Sequence, residues 1–143
     1  MKHLLLPTLL CLAFLFLGSS CNKEDAADAF IGYYNVRLTQ NVNWDNNSVI
    51  STDMGTLRIT KESGSRVKLS GLIYTNGVVT GNTIQLETTT TTDEDGTATT
   101  VYGTGTLSGN VLSITSTTTG QLLYEGSYYP FTSYDSYTCT REN

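Results

Sequence analysis

Apolar residues on every second position constrain this chain more than any other feature. From Phe30 onward, Tyr34, Val36, Leu38, Val42 and Trp44 share one parity, while Tyr33, Asn35, Arg37, Thr39 and Asn43 take the other. A period of two puts the first set on one face of a strand and the second on the opposite face. No 3.6-residue period is sustained in this stretch, and Pro130 is its single proline. Threonine, glycine and tyrosine dominate it, and β-branched and aromatic side chains suit a pleated surface. The chain is therefore expected to be all-β.

A first strand is expected over Gly32 to Trp44, closed by a loop at Asp45-Asn46-Asn47-Ser48. Further strands are expected near Gly55 to Lys61 and Ser65 to Tyr74, joined by a tight turn at Glu62-Ser63-Gly64. Asn76-Gly77 carries a turn signal. Val79-Thr80-Gly81-Asn82-Thr83-Ile84 and Leu107-Ser108-Gly109-Asn110-Val111-Leu112 repeat one form: apolar, hydroxyl, Gly, Asn, any residue, apolar. Gly and Asn tolerate the positive φ of primed hairpin turns, so each copy should reverse the chain between adjacent strands. Ile84 to Thr92 and Thr97 to Leu107 make the longest hairpin, tipped by Asp93-Glu94-Asp95-Gly96. That tip shares Asp-x-Asp-Gly with a calcium loop but lacks the third ligand, and Thr104 stands where the loop needs Glu. It reads as a solvated acidic turn. Val111 to Thr117, the aromatic-rich Gln121 to Tyr134, and Ser133 to Arg141 complete about eight strands. Pairing the first strand with the last removes exposed edges, so an up-and-down barrel is the expected architecture, with a two-sheet sandwich as the alternative.

The first 20 residues obey different rules. Lys2 and His3 precede an apolar run of about 14 residues, Leu4 to Leu17, then Gly18-Ser19-Ser20-Cys21. Such a run fits a signal-peptide core and falls short of the roughly 20 residues of a bilayer-spanning helix. The pattern resembles a bacterial lipoprotein signal, which implies cleavage before a lipid-bearing Cys21. Acyl chains there would hold the protein to the membrane. Asn22 to Ala29 reads as a flexible tether. The organisation expected is a signal at 1–20, a lipidated tether at 21–29 and a barrel at 30–143. Lys23-Glu24-Asp25 resembles the short signal that sends lipoproteins of the Bacteroides group to the outer face of the outer membrane. A cell-surface position is expected, with a periplasm-facing one as the alternative.

Composition then excludes several chemistries. The chain holds 13 Asp and Glu against 8 Lys and Arg, and Lys2 leaves with the signal. That acidic balance argues against nucleic acid, whose phosphates need a basic patch. Cys11 leaves too, and acylation of Cys21 leaves Cys139 without a disulfide partner. Set in the alternating Tyr137-Thr138-Cys139-Thr140-Arg141, Cys139 reads as a small buried hydrophobe. His3 is the one histidine. Its loss with the signal removes Ser-His-Asp and Cys-His catalysis and imidazole zinc sites.

Phe30-Ile31-Gly32-Tyr33-Tyr34-Asn35-Val36, the Gly105 to Ile114 hairpin and the closing Tyr137 to Arg141 together resemble the lipocalin-like lipoproteins of gut Bacteroides. The resemblance covers most of residues 30 to 141 and implies an eight-stranded barrel. It also places Arg141 late in the last strand, positioned to stack over the Tyr34 ring. Three functions follow as candidates. In the first, the lipid-anchored barrel binds a small apolar or glycan ligand, with Trp44, Tyr128, Tyr129, Phe131 and Tyr134 lining a mouth; the alternative use of those rings is to fill the barrel. In the second, the barrel docks onto another envelope protein through its Thr-rich hairpin, Thr83 to Leu107. In the third, paired carboxylates among Asp45, Asp53, Glu87 and Glu125 catalyse hydrolysis; each sits where solvated charge is the default, so no enzyme activity is expected. No motif calls for a cofactor or a metal.

Overall fold

The computed structural model describes residues 25–94 and 97–143. The signal segment, Cys21, Lys23-Glu24 and the Asp95-Gly96 tip lie outside the described residues. Among those described, eight antiparallel strands close into one up-and-down barrel in sequence order, β8 pairing back onto β1. They are β1 (Gly32–Trp44), β2 (Asn47–Ser63), β3 (Arg66–Gly71), β4 (Thr75–Thr80), β5 (Thr83–Thr92), β6 (Ala98–Ser108), β7 (Val111–Tyr124) and β8 (Ser127–Arg141). The barrel, rather than the sandwich, is the fold.

Turn chemistry explains the connections. Asp45 and Asn46 both take positive φ (39° and 62°), as a two-residue I′ turn requires. The polar run expected as a loop is thus a tight hairpin, and Asn47-Ser48 already belongs to β2. Glu125 and Gly126 (49° and 80°) do the same between β7 and β8. The two echoed segments are both hairpin turns, with Gly81 at 59° and Gly109 at 57°. Asn76-Gly77, by contrast, lies inside β4. Its glycine serves packing: a Cβ there would come 2.7 Å from Ile84 Cδ1. The reversal falls instead at Leu72-Ile73-Tyr74, where Ile73 is buried.

The two ends of the barrel differ. At the end carrying the β2–β3, β4–β5 and β6–β7 turns, Tyr34, Val36, Leu57, Ile59, Val67, Leu69, Ile84, Leu112, Ile114 and Cys139 are fully buried. A short 3₁₀ helix, Ala26–Phe30, covers this end with Ala27 and Phe30 buried. Those residues overlap the stretch assigned to the tether, whose composition shows no apolar period. Tyr34 Oη donates to the Phe30 carbonyl (2.8 Å) and accepts from Arg141 Nη2 (2.7 Å). The Arg141 guanidinium also donates to the Ala29 carbonyl and lies 5.3 Å from the Tyr34 ring centroid, the stacking expected from sequence. Outside, Lys61 bridges Asp25 and Asp28 at 3.0 and 2.8 Å.

At the opposite end the wall is incomplete. Strands β3 and β4 have six residues each, while β1, β2, β7 and β8 have 13 to 17. Above Thr56, β2 pairs with β1 alone among the described residues, and β5 above Glu87 pairs only with β6, apart from Thr75 hydrogen bonds to the Glu87 carbonyl and the Thr89 hydroxyl. The upper half is therefore a curled six-stranded sheet, β2-β1-β8-β7-β6-β5, standing on a closed eight-stranded base. In the closed base the inward positions are apolar, whereas Ser116, Ser133 and Asp135 are buried polar residues higher up.

Candidate functional site

The ladders define rows that run across the sheet, and the inward chemistry changes from row to row. One row is Ile84, Gly105, Ile114, Tyr137 and Leu38; below it Leu107, Leu112, Cys139 and Val36 follow. The next row up is Leu86, Gly103, Ser116, Asp135 and Gln40. Above that come Thr89, Val101, Thr118, Ser133 and Val42. Hydrocarbon thus gives way to hydroxyl, amide and carboxylate at the Gly103–Asp135 row. A bulge in β5 between Leu86 and Thr89 falls at the same height. Gly103 is required there, since a Cβ would lie 2.3 Å from the Thr115 carbonyl oxygen and 2.8 Å from Ser116 Cβ.

Asp135 is the centre of this region and is only 4% exposed. Its Oδ1 accepts from Ser133 Oγ (2.5 Å) and Gln40 Nε2 (3.3 Å), and its Oδ2 from Thr118 Oγ1 (3.0 Å) and Ser116 Oγ (3.4 Å). Four donors converge on one carboxylate, which is what lets a charged group sit inside a barrel. Above it lies a cavity of about 250 Å³ bounded by Gln40, Thr89, Thr91, Val101, Thr118, Asp135 and Tyr137, with Leu72, Ile73 and Tyr74 on the side of the short strands. At about 30 Å³ per water, that is the space of roughly eight waters, enough for a monosaccharide-sized molecule. Tyr74 is 71% exposed, so this side leads to solvent over the low wall. Burial pushes the Tyr137 phenol up, a hydrogen bond with Ser116 opposes that, and the nearby Asp135 charge adds to it. The ring is therefore neutral across the physiological range.

The aromatic residues expected to line a mouth fall on both faces. Trp44 and Phe131 stand directly opposite each other in the β1–β8 ladder, on the inward parity and half-buried. Tyr129 shares that parity and is half-buried opposite Leu122. Tyr128 and Tyr134 take the outward parity, 51% and 58% exposed. Tyr134 borders an outer depression of about 510 Å³, with Tyr102 on its other flank, and also a shallow one of about 740 Å³ beside the Asp45-Asn46 turn that Trp44 and Phe131 line with it. Among the carboxylates named for catalysis, Glu87 pairs with Arg66 at 2.9 Å, and Asp45, Asp53 and Glu125 are exposed. Cys139 is buried and free, its thiol pushed up to about 12 by burial, so it is no nucleophile.

Sequence reasoning passed over Asp135, Gln40 and Thr118. One signal was readable: on the core parity of β8, Cys139 and Tyr137 are followed by Asp135 and Ser133, and on β7, Leu112 and Ile114 by Ser116 and Thr118. Two neighbouring strands switching together from apolar to polar mark a polar interior. No family model, curated protein or solved structure matches the chain.

Proposed function

We propose that this chain is a lipid-anchored envelope protein whose barrel holds a small polar ligand in its hydroxyl-lined upper half. The buried Asp135 with its four donors, facing a cavity of about 250 Å³, carries the ligand part of this reading. Pockets that bind small molecules combine a concave shape with a few convergent polar groups. Of the two ligand classes expected from sequence, the polar lining favours the hydroxylated, glycan-like one over the apolar one. Binding, not bond-breaking, is the activity assigned. The anchor rests on Leu4 to Leu17 and Cys21, and the resemblance to lipocalin-like lipoproteins supports a position on the outer membrane.

Titration calorimetry with monosaccharides and small polyols tests the ligand reading. Thr118→Leu fills the cavity and should abolish binding while circular dichroism still reports a folded β protein. Binding that survives this substitution rejects the interior site. Labelled palmitate should be incorporated by the full chain and lost in Cys21→Ala; equal labelling of both rejects the anchor.

A second reading has its own observation. The upper edges of β2 and β5 expose backbone that the barrel leaves unpaired among the described residues, and an extended segment of another envelope protein can add a strand there. Deleting the hairpin tip at 93–96 should then remove a co-purifying partner without unfolding the barrel.

A further inference from the structure

Asp135 poses an electrostatic question that its hydroxyl and amide donors do not answer. Dipoles stabilise a buried carboxylate but leave its net charge uncancelled, and a low-dielectric wall projects that charge into the space it faces. None of the six described cations lines the cavity, and the one at its rim, Lys68, stands against the Tyr74 ring. Lys61 holds Asp25 and Asp28, and Arg66 holds Glu62 and Glu87. Arg58 lies over the Tyr33 ring, Lys68 over the Tyr74 ring and Arg141 over the Tyr34 ring, each within 5.4 Å of the centroid. Arg37 is exposed on the outward parity, opposite Met54 and Thr138. Asp53 adds a second carboxylate on the inward parity of the open upper edge of β2, opposite Leu38.

From this we infer that the interior site selects a positively charged ligand: a small hydroxylated molecule carrying a protonated amine, with Asp135 as its counter-charge. The inference rests on the interior-site reading above and adds the charge. The surroundings suit an ammonium in two further respects. Tyr137 offers a buried aromatic ring at the cavity wall, and a cation over a desolvated ring is attracted by its quadrupole. Threonine hydroxyls at Thr89, Thr91 and Thr118 can accept from the ammonium, because a hydroxyl that donates its one hydrogen, as Thr118 does to Asp135, still has lone pairs to offer.

The experiment compares matched ligands at about pH 6: glucosamine, glucose and N-acetylglucosamine, titrated calorimetrically into the wild-type protein and Asp135→Asn. The wild type should bind glucosamine at least roughly tenfold more tightly than glucose, the gain from an opposite charge held near the Asp135 carboxylate in a low-dielectric space. Asp135→Asn keeps the shape and one acceptor, and the Ser116 and Thr118 hydroxyls can turn to accept from its amide. It should bind the two sugars within about twofold of each other. Tyr137→Phe retains the ring and should retain the preference. Glucose bound as tightly as glucosamine by the wild type overturns the charge inference while leaving the interior site standing. A preference that persists in Asp135→Asn overturns the role of Asp135. No heat with any of the three sugars, from protein of native circular dichroism, overturns the proposal together with the glycan-like site on which it rests.

Discussion

The lower half of this barrel closes with eight strands, and the upper half continues six of them around a different interior. Below the Ile84–Ile114–Leu38 row the interior is solid hydrocarbon, capped by Phe30 and the Tyr34–Arg141 pair. Higher up two short strands stop, and the remaining interior mixes threonine and serine hydroxyls and one carboxylate with Val101, Trp44 and Phe131. The difference teaches that closure and vacancy are divided along the strands rather than between domains. The six longer strands contribute apolar packing at one end and polar side chains at the other, while β3 and β4 serve the base alone.

Substitutions should separate the two halves by magnitude. Leu57→Ala in the base removes a fully buried side chain and should cost about 2–5 kcal/mol in urea unfolding. A loss below about 1 kcal/mol there would mean the base is not the stability core. Tyr34→Phe removes a hydroxyl that both donates to Phe30 and accepts from Arg141, and should cost about 1–3 kcal/mol. Thr118→Val, in the upper half, removes one of four donors to the buried Asp135 carboxylate and should cost about 1.5–3 kcal/mol. A larger loss from Thr118 than from Leu57 would reverse the assignment of the halves.

The base also fixes a pH dependence. Burial raises the Cys139 thiol from 9.0 to about 12, so the folded state favours the neutral form. That contribution is complete below the unfolded value and is lost as pH rises through the folded one. Tyr137, raised from 10.0, acts in the same direction. Denaturant midpoints should hold steady up to about pH 9 and then decline toward pH 12, while Cys139→Ala should show a shallower decline. A thiol reagent should label Cys139 at the rate of unfolding. The smallest effect is expected from Lys61→Ala, which frees Asp25 and Asp28 on the surface. Faster amide exchange over Ala26–Phe30, with little change in melting temperature, is the expected readout.

The base was far more legible than the site. Parity alone located β1 from Gly32 to Trp44, and the Gly-Asn pairs located two turns, because alternation and positive φ are local properties. Asn76-Gly77 misled for a physical reason: its glycine answers to Ile84 across the ladder, a tertiary contact that no local signal reports. Strand β2 was read short because Asn47 to Met54 is exposed along its whole length and shows no burial alternation. The aromatic residues drew attention by their type; alternation puts Tyr128 and Tyr134 on the outward parity, and Trp44, Phe131 and Tyr134 share one depression at the rim. Asp135 lay unnoticed among tyrosines, although its parity with Tyr137 and Cys139 already placed it inside.

The interior of the upper half as the binding site is tested most directly by mapping amide chemical shifts during a glucosamine titration. The expected result is a set of changes confined to the inward rows around Gln40, Thr118 and Asp135, with Leu57, Ile59 and Ile114 unmoved. Shifts centred on Tyr102 and Tyr134 on the outer face, or spread evenly over both halves, would contradict it.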